Sequence, residues 1–202
     1  MRLLSRVAVQ VVGLAGFAVP AVAQQVRPTL SPSVFAGVAL PRGDVRSFTS
    51  MGFTSGAAFD LGVPSIPVGL RAEASYTQFS FNFSDTHTNP TIDGGTRTQW
   101  NGGLDLVLPI RTTVATPYLL GGYGVYQVGI HPRCQELLLP EASGATTPTC
   151  PGGTSDHAGW SAGVGFDLPG GVLGSRLEAR YTRISVPGGF YSYVPVTFAL
   201  RF

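Results

Sequence analysis

The sequence predicts an all-β fold: an eight-stranded antiparallel up-and-down barrel that spans a membrane, after a cleaved signal peptide. Apolar and polar residues alternate with a period of two in eight runs, and most runs reach the ~9–11 residues of a tilted membrane-spanning strand. Short turns and long loops alternate between the runs, which is typical of membrane barrels. Charged residues make up only 12% of the 202-residue chain, about half the usual share for a soluble domain.

The N-terminal residues 1–23 are predicted to be a secretory signal peptide. Arg2 and Arg6 supply its positive region, residues 7–19 its short apolar region, and Ala21-Val22-Ala23 a cleavage site of small residues. Residues 24–202 are then the barrel domain of the mature protein.

The charge balance gives no support for nucleic-acid binding. All 13 basic residues of the chain are arginines, and removal of Arg2 and Arg6 leaves 11 of them against 11 acidic residues. The mature chain therefore has no formal net side-chain charge, whereas nucleic-acid-binding domains carry a basic face. We expect no nucleic-acid partner.

Four strands are predicted in the first half of the barrel domain, at 32–40, 53–63, 68–80 and 96–108. The first is apolar on both faces from Val34 to Leu40. The third has one face formed by Leu70, Ala72, Ala74 and Tyr76, and the other by Arg71, Glu73, Ser75 and Thr77. The fourth sets Trp100, Leu104, Leu106 and Leu108 against Arg97, Gln99, Asn101 and Asp105.

Four more strands are predicted in the second half, at 117–129, 157–168, 175–185 and 192–202. The sixth sets Trp160, Ala162, Val164, Phe166 and Leu168 against Ser161, Gly163, Gly165 and Asp167. The eighth sets Val194, Val196, Phe198, Leu200 and Phe202 against Thr197, Ala199 and Arg201.

The connections between these strands fall into two length classes. Short turns are predicted at 64–67, 109–116 and 169–174, and each opens with a proline. Longer loops are predicted at 41–52, 81–95 and 130–156, with a briefer one at 186–191. Short turns at one end and long loops at the other are the pattern of an up-and-down membrane barrel.

An internal repeat supports eight strands. Residues 56–80 resemble residues 163–185, since each copy has Phe-Asp-Leu followed by a short turn and an Arg-x-Glu-Ala-x-Tyr-Thr run. The copies correspond to strands 2–3 and 6–7, which lie four strands apart. Two similar halves of four strands close as eight.

Charged side chains are predicted to fill the barrel interior, because a closed barrel in lipid must turn its apolar face outward. The inward positions carry Asp60, Arg71, Glu73, Arg97, Asp105, Asp167, Arg176, Glu178, Arg180 and Arg201. An eight-stranded interior is just wide enough for side chains to fill it, and the planar arginine fork can bridge two carboxylates. We therefore expect a salt-bridged plug. A small solute passage is the alternative, should these charges leave a gap.

A soluble periplasmic barrel of the lipocalin type fits the same alternation with its apolar residues inside. The polar face argues against it, because it is rich in Gly, Ser and Ala. Aromatic residues predicted near strand ends suit a membrane interface; they are Trp100, Trp160, Tyr118, Tyr126, Tyr181 and Tyr193. The chain also ends on the apolar face, at Phe202.

The two cysteines, Cys134 and Cys150, lie in one stretch rich in Gly, Pro and Thr. Export makes a disulfide between them the favoured prediction, and closure of so short a loop would contribute about 3 kcal/mol. A metal site is the alternative. His131 and His157 flank the stretch, but their spacing matches no recognisable zinc motif, so we predict no metal.

The C-terminal segment 193–202 resembles the terminal strand of bacterial outer-membrane proteins, which ends in an aromatic residue preceded by apolar residues at every second position. Here those positions are Val194, Val196, Phe198, Leu200 and Phe202. With the signal peptide and the strand count, the chain resembles the small eight-stranded barrels of the OmpA transmembrane-domain and OmpX type.

This resemblance implies a bacterial outer-membrane protein in contact with outer-membrane lipid and lipopolysaccharide. It also implies that the terminal strand is the signal recognised by the barrel-assembly machinery. Such barrels serve as envelope scaffolds, adhesins or surface-interaction proteins. The 130–156 loop is the longest and most irregular, so we expect it to contact any external partner.

An enzymatic role is not expected, and no cofactor is predicted. The lipid A deacylases, which are small outer-membrane barrels, use a His-x-Ser arrangement that His87, His131 and His157 all lack. The palmitoyl-transferase type keeps an Asp-Ser pair and a His on surface loops, and here only Asp85 lies close to His87. The pairs Glu73 with Glu178 and Asp60 with Asp167 could serve as acid and base, but the nearby arginines favour salt bridges.

Overall fold

The computed structural model describes residues 29–62, 67–85, 91–110, 115–135, 152–168 and 173–202. The strands are β1 Thr29–Arg42, β2 Gly52–Gly62, β3 Gly69–Asp85, β4 Thr91–Pro109, β5 Thr116–Gln135, β6 Gly153–Leu168, β7 Gly174–Val186 and β8 Gly189–Arg201. A short 3-10 helix, Gly43–Ser47, follows β1. Within these ranges, no helix is long and apolar enough to cross a membrane.

The strands form one closed antiparallel barrel, in which each strand pairs with the next in sequence and β8 pairs with β1. The predicted fold class is confirmed. The partners of Ser31 on β1 can be followed from strand to strand around the barrel, and they return to β1 at Pro41, ten residues further along. This stagger requires tilted strands, and barrel strands are typically inclined by about 35–45°.

The central strands extend further at the loop end of the barrel than the sequence predicts. β3 runs to Asp85 and β4 starts at Thr91, so strands occupy most of the region predicted as a loop at 81–95. β5 runs to Gln135 and β6 starts at Gly153, which shortens the other long loop from both ends. Beyond the apolar band a strand no longer needs an apolar outward face, so the alternation fades while backbone pairing continues.

The two faces of the sheet differ sharply in polarity. Leu104, Val164 and Phe198 point outward and are 56%, 49% and 52% exposed, whereas Arg71 and Glu178 point inward and are 1% and 4% exposed. Outward apolar side chains recur on every strand and form a continuous band. This arrangement is the opposite of a soluble carrier with an apolar interior.

An aromatic girdle borders this band on the side of the long loops. It consists of the outward side chains Tyr76, Trp100, Tyr123, Trp160 and Tyr181. Tyr76 packs against Trp100 with ring centroids 4.8 Å apart, and Trp160 packs against Tyr181 at 5.6 Å. Aromatic side chains of this kind mark the level where a membrane barrel leaves the hydrocarbon.

Three tyrosines expected at the interface lie inside the barrel instead. Tyr118, Tyr126 and Tyr193 are only 1%, 4% and 4% exposed. A tyrosine combines an apolar ring with a polar hydroxyl, so it suits a packed polar interior as well as an interface. Nearness to a strand end does not distinguish the two settings, and the interface prediction is wrong for these residues.

The predicted signal peptide, residues 1–23, lies outside the described residues. Cys150 and the side chain of Cys134 also lie outside them, so the disulfide stays a prediction.

Candidate functional site: the barrel interior

The internal repeat places one Asp–Arg ion pair in each half of the barrel. Asp60 pairs with Arg71 across β2 and β3, with Oδ1 2.7 Å from Nε, and Asp167 pairs with Arg176 across β6 and β7 at 2.8 Å. Arg176 also reaches across the lumen to Asp60, with Nη2 2.9 Å from Oδ2. The two repeats are therefore joined by ion pairs inside the barrel.

Arg180 forms ion pairs with three carboxylates, nearer the long-loop end of the lumen than the Asp–Arg pairs. Its Nη2 lies 2.8 Å from Glu73 Oε2 and its Nη1 lies 3.4 Å from Asp105 Oδ2. It also donates to Glu178, which accepts a second hydrogen bond from Arg71 Nη1 at 2.6 Å. Glu178 therefore connects the Arg180 cluster to the Asp–Arg pairs.

Arg201 extends the network toward the short-turn end, because its Nη1 lies 3.2 Å from Asp167 Oδ2. One continuous network thus contains nine of the ten predicted lumen residues: Asp60, Arg71, Glu73, Asp105, Asp167, Arg176, Glu178, Arg180 and Arg201. Five carboxylates face four guanidinium groups, so the network carries a formal charge of −1. Mutual pairing offsets the cost of holding these ions away from water.

Tyr118 lies at the centre of the network. Its hydroxyl donates to Glu178 Oε2 at 2.5 Å, and its ring centroid lies 5.4 Å from Arg71 Cζ and 5.6 Å from Arg176 Cζ. These two arginines are equivalent in the internal repeat, so the ring contacts one matching cation from each half of the barrel. Gly165 on the neighbouring strand leaves room for the ring, since a Cβ there would overlap Tyr118 Cζ and Oη.

Among the residues that the structure describes, Arg97 is the one predicted lumen residue with no ion pair to this network. Its Cζ lies 3.6 Å from the ring centroid of Tyr191, and its buried Nε has no hydrogen-bond partner in the described part of the chain. Arg97 pairs with Phe79 in the β3–β4 register, near the loop end of the barrel. It is therefore too far along the strand to reach the carboxylates.

A cluster of buried side chains, here called the aromatic plug, packs inside the barrel on the long-loop side of the ion network. Phe79 contacts Tyr191 and Tyr193 edge-on, with ring centroids 5.8 and 5.4 Å apart. The buried cluster comprises Ala39, Phe79, Tyr126, Val128, Ile184, Tyr191 and Tyr193. Gln99 secures one of the rings, since its Nε2 donates to the Tyr193 hydroxyl at 2.5 Å.

Sequence reasoning missed the aromatic plug, although β3 contains a signal for it. Phe79 and Phe81 continue the inward series of Arg71, while Gln78 and Ser80 continue the outward series of Leu70. The polarity of the two faces therefore reverses at the loop end of this strand. Phe79 is fully buried and Phe81 is 8% exposed.

A cavity of about 30 Å³ lies between the ion network and the aromatic plug, with Arg71, Glu73, Asn101 and Tyr193 among its lining residues. A cavity of this size is large enough to hold ordered water. A wider cup of about 330 Å³ opens at the short-turn end, below Arg71, Arg176 and Arg201.

The C-terminal positions singled out by the sequence lie on the outward face of β8. Phe198 and Phe202 are 52% and 60% exposed, and Leu200 is 41% exposed. Val194 and Val196 share this face and are half-buried. The backbone N–H of Phe202 donates to Pro32 O at 2.9 Å, which attaches the end of the chain to β1.

Solved outer-membrane proteins share this architecture. Neisserial surface protein A matches with a TM-score of 0.54 and 13% identity, over 87% of this chain and 97% of its own. Looser matches include Ail of Yersinia pestis, in complex with the heparin analogue sucrose octasulfate, and the N-terminal β-barrel domain of Pseudomonas aeruginosa OprF. The match to Ail has a TM-score of 0.48 and 12% identity, and it covers 86% of this chain and 99% of Ail. The match to the OprF domain has a TM-score of 0.42 and 10% identity, and it covers 87% of this chain and 100% of that domain.

The likeness to Neisserial surface protein A, at 13% identity, concerns the fold alone. This chain therefore has the fold of a small eight-stranded outer-membrane barrel. No protein-family model matches the sequence, and no curated protein matches it either.

Proposed function

We propose that this protein is an integral outer-membrane barrel with a structural or surface-interaction role and a lumen that conducts no solute. One observation carries the proposal: a band of outward apolar side chains surrounds an interior that contains an ion network and an aromatic plug. The band suits acyl chains. The two interior layers oppose the passage of ions and solutes.

The ion network supports a closed lumen because its members restrain one another. Each of the arginines Arg71, Arg176 and Arg180 contacts two carboxylates that lie on strands other than its own. Opening a path would separate several buried ion pairs at once, and leaving one such ion unpaired costs about 3–5 kcal/mol. The cavity of about 30 Å³ above them is too small for a nutrient-sized solute.

The loop end of the barrel is the proposed contact surface. The strands β5 and β6 extend beyond the apolar band at this end, to Gln135 and Gly153. Loops held on a rigid scaffold commonly carry binding functions. We place an external partner there, and we place recognition by the barrel-assembly machinery on the terminal strand that ends at Phe202. No catalytic role and no cofactor enter this proposal.

Fractionation tests the location. The full chain should be recovered in the detergent-extracted outer-membrane fraction of a bacterium with two membranes, and boiling should change its gel mobility as a folded barrel unfolds. Recovery in the soluble fraction, with identical mobility before and after boiling, would overturn the proposal.

Single-channel recording tests the closed lumen. The refolded protein inserted into a planar bilayer should give no discrete conductance steps, whereas a known porin inserted under the same conditions should give them. Regular steps that scale with the amount of folded protein would instead show a passage through the barrel.

A further inference from the structure

We infer that the outer face of β1, β7 and β8 binds the phosphate groups of a lipid in the outer leaflet, namely the lipid A part of lipopolysaccharide. This inference rests on the proposed outer-membrane location and names a partner for the barrel wall. It depends on two outward arginines, Arg42 and Arg183, that lie outside the ion network.

Arg42 and Arg183 flank one residue on the strand between them. Ser192 on β8 pairs with Arg42 on β1 and with Arg183 on β7. All three occupy outward positions, and the two arginine Cα atoms lie two strand spacings apart, or about 10 Å. A short row of adjacent strands thus presents two guanidinium groups on one side of the barrel.

This row lies where lipid headgroups meet the barrel. Arg183 pairs directly with Trp160 of the aromatic girdle, and Ser192 lies two residues beyond the outward Val194. The guanidinium groups are therefore just above the apolar band, on the side of the long loops. Lipid A would place its acyl chains against the band and its phosphates at this level.

The two guanidinium groups are free to bind an anion. In the part of the chain that the structure describes, neither has a carboxylate within ion-pair distance, in contrast to the four arginines of the ion network. Arg183 Cζ lies 3.6 Å from the ring centroid of the exposed Phe190, which orients the guanidinium plane. A fixed planar fork matches the oxygens of a phosphate.

A neighbouring groove adds a third arginine and an apolar floor. Leu40, Pro41, Arg42, Arg46, Thr49 and Met51 line a groove of about 340 Å³. Arg46 on the 3-10 helix is exposed, and Met51 is 63% exposed. Basic groups above an apolar surface complement an amphiphile that carries phosphate at its polar end.

The test compares lipids and variants on the refolded full-length mature barrel. Native mass spectrometry would measure retention of bisphosphorylated lipid A and of the same lipid after its phosphates are removed. Wild-type protein should retain the phosphorylated form, and R42Q/R183Q should bind it about tenfold more weakly or worse, because charge-assisted hydrogen bonds are lost. R133Q removes an exposed arginine at the loop end of β5 and should behave as wild type.

Several results would overturn the inference. Equal retention of the two lipids by the wild-type protein would be one such result. Binding of phosphorylated lipid A by R42Q/R183Q within about twofold of wild type would be a second. A loss of binding in R133Q as large as that in R42Q/R183Q would be a third. Gel mobility before and after boiling checks folding of each protein. If wild type itself fails to form a heat-modifiable barrel, the proposed function fails with the lipid site, whereas a folded barrel indifferent to phosphate overturns the lipid site alone.

Discussion

At the residue scale, the ion network contains more carboxylates than guanidinium groups. Arg180 contacts Glu73, Asp105 and Glu178, so this single guanidinium group offsets three carboxylates. The network as a whole has one carboxylate more than it has guanidinium groups. Removal of a cation and removal of an anion should therefore have unequal effects on stability.

Arg180→Gln should lower the free energy of unfolding by about 3–5 kcal/mol, because it leaves a buried cluster of carboxylates without their shared cation. Glu73→Gln should lower the free energy of unfolding by a smaller amount, because it removes the excess negative charge of the network. Urea unfolding of the refolded barrel in lipid vesicles measures both. The exposed control Arg133→Gln should lie within about 0.5 kcal/mol of wild type. Equal losses for the two lumen variants would contradict the charge argument.

Gly165 should tolerate no side chain, because a Cβ there would overlap the ring of Tyr118. Gly165→Ala should destabilise the barrel by about 1–3 kcal/mol through displacement of that ring. Gly102 is the matched control, since a Cβ there would have no described neighbour within 4 Å. The same urea titration applies, and equal stability of the two alanine variants would show that Tyr118 is not tightly packed.

At the element scale, β4 places an ordered series of side chains at different depths in the membrane. Its outward face runs from Trp100 in the girdle through Leu104 and Leu106 to Leu108 near the short-turn end. The strands β3, β5, β6 and β7 likewise carry one girdle residue toward the long-loop end and small or apolar outward residues beyond it. The loss of stability caused by a charged substitution should therefore depend on how deep the substituted position lies in the membrane.

Leu104→Arg should destabilise the inserted barrel by about 2–4 kcal/mol, because Leu104 lies near the middle of the apolar band, whereas Leu108→Arg should cost about 0–1 kcal/mol at its edge. Reversible unfolding from vesicles measures both values. Similar costs at the two positions would contradict the depth assigned to β4.

The terminal strand β8 should matter more for assembly than for stability. Phe202→Ser should reduce the amount of folded protein recovered from the outer membrane, while refolding of the purified variant in vitro stays close to wild type. Leu30→Ser is the control, because Leu30 is 63% exposed near the same edge of the band and Phe202 is 60% exposed. Equal losses in cells for the two variants would remove the case for a terminal assembly signal.

At the scale of the whole molecule, the period-two pattern was sufficient to predict the strand number, the topology and the sidedness. It worked because lipid imposes one polarity on the outward face over the full height of the band. Leu104 and Asp105 had to point in opposite directions whatever the register.

The connectivity of the lumen could not be predicted, because it depends on the stagger of the strands. The alternation gives the face on which a side chain lies but not its height in the barrel. Arg97 and Arg180 therefore looked equivalent in the sequence, although one stacks on Tyr191 and the other holds three carboxylates. The inward Tyr118 was missed for a related reason, since its ring suits either environment.

The sidedness of the sheet is the claim on which the rest depends, and spin labelling tests it most directly. Single cysteines at positions 104, 164 and 198, introduced after Cys134 and Cys150 are replaced by serine, would each carry a nitroxide in the vesicle-inserted barrel. All three labels should collide frequently with oxygen dissolved in the lipid and rarely with a water-soluble nickel chelate. Frequent collision with the chelate, or shielding from both, would contradict a lipid-facing apolar band.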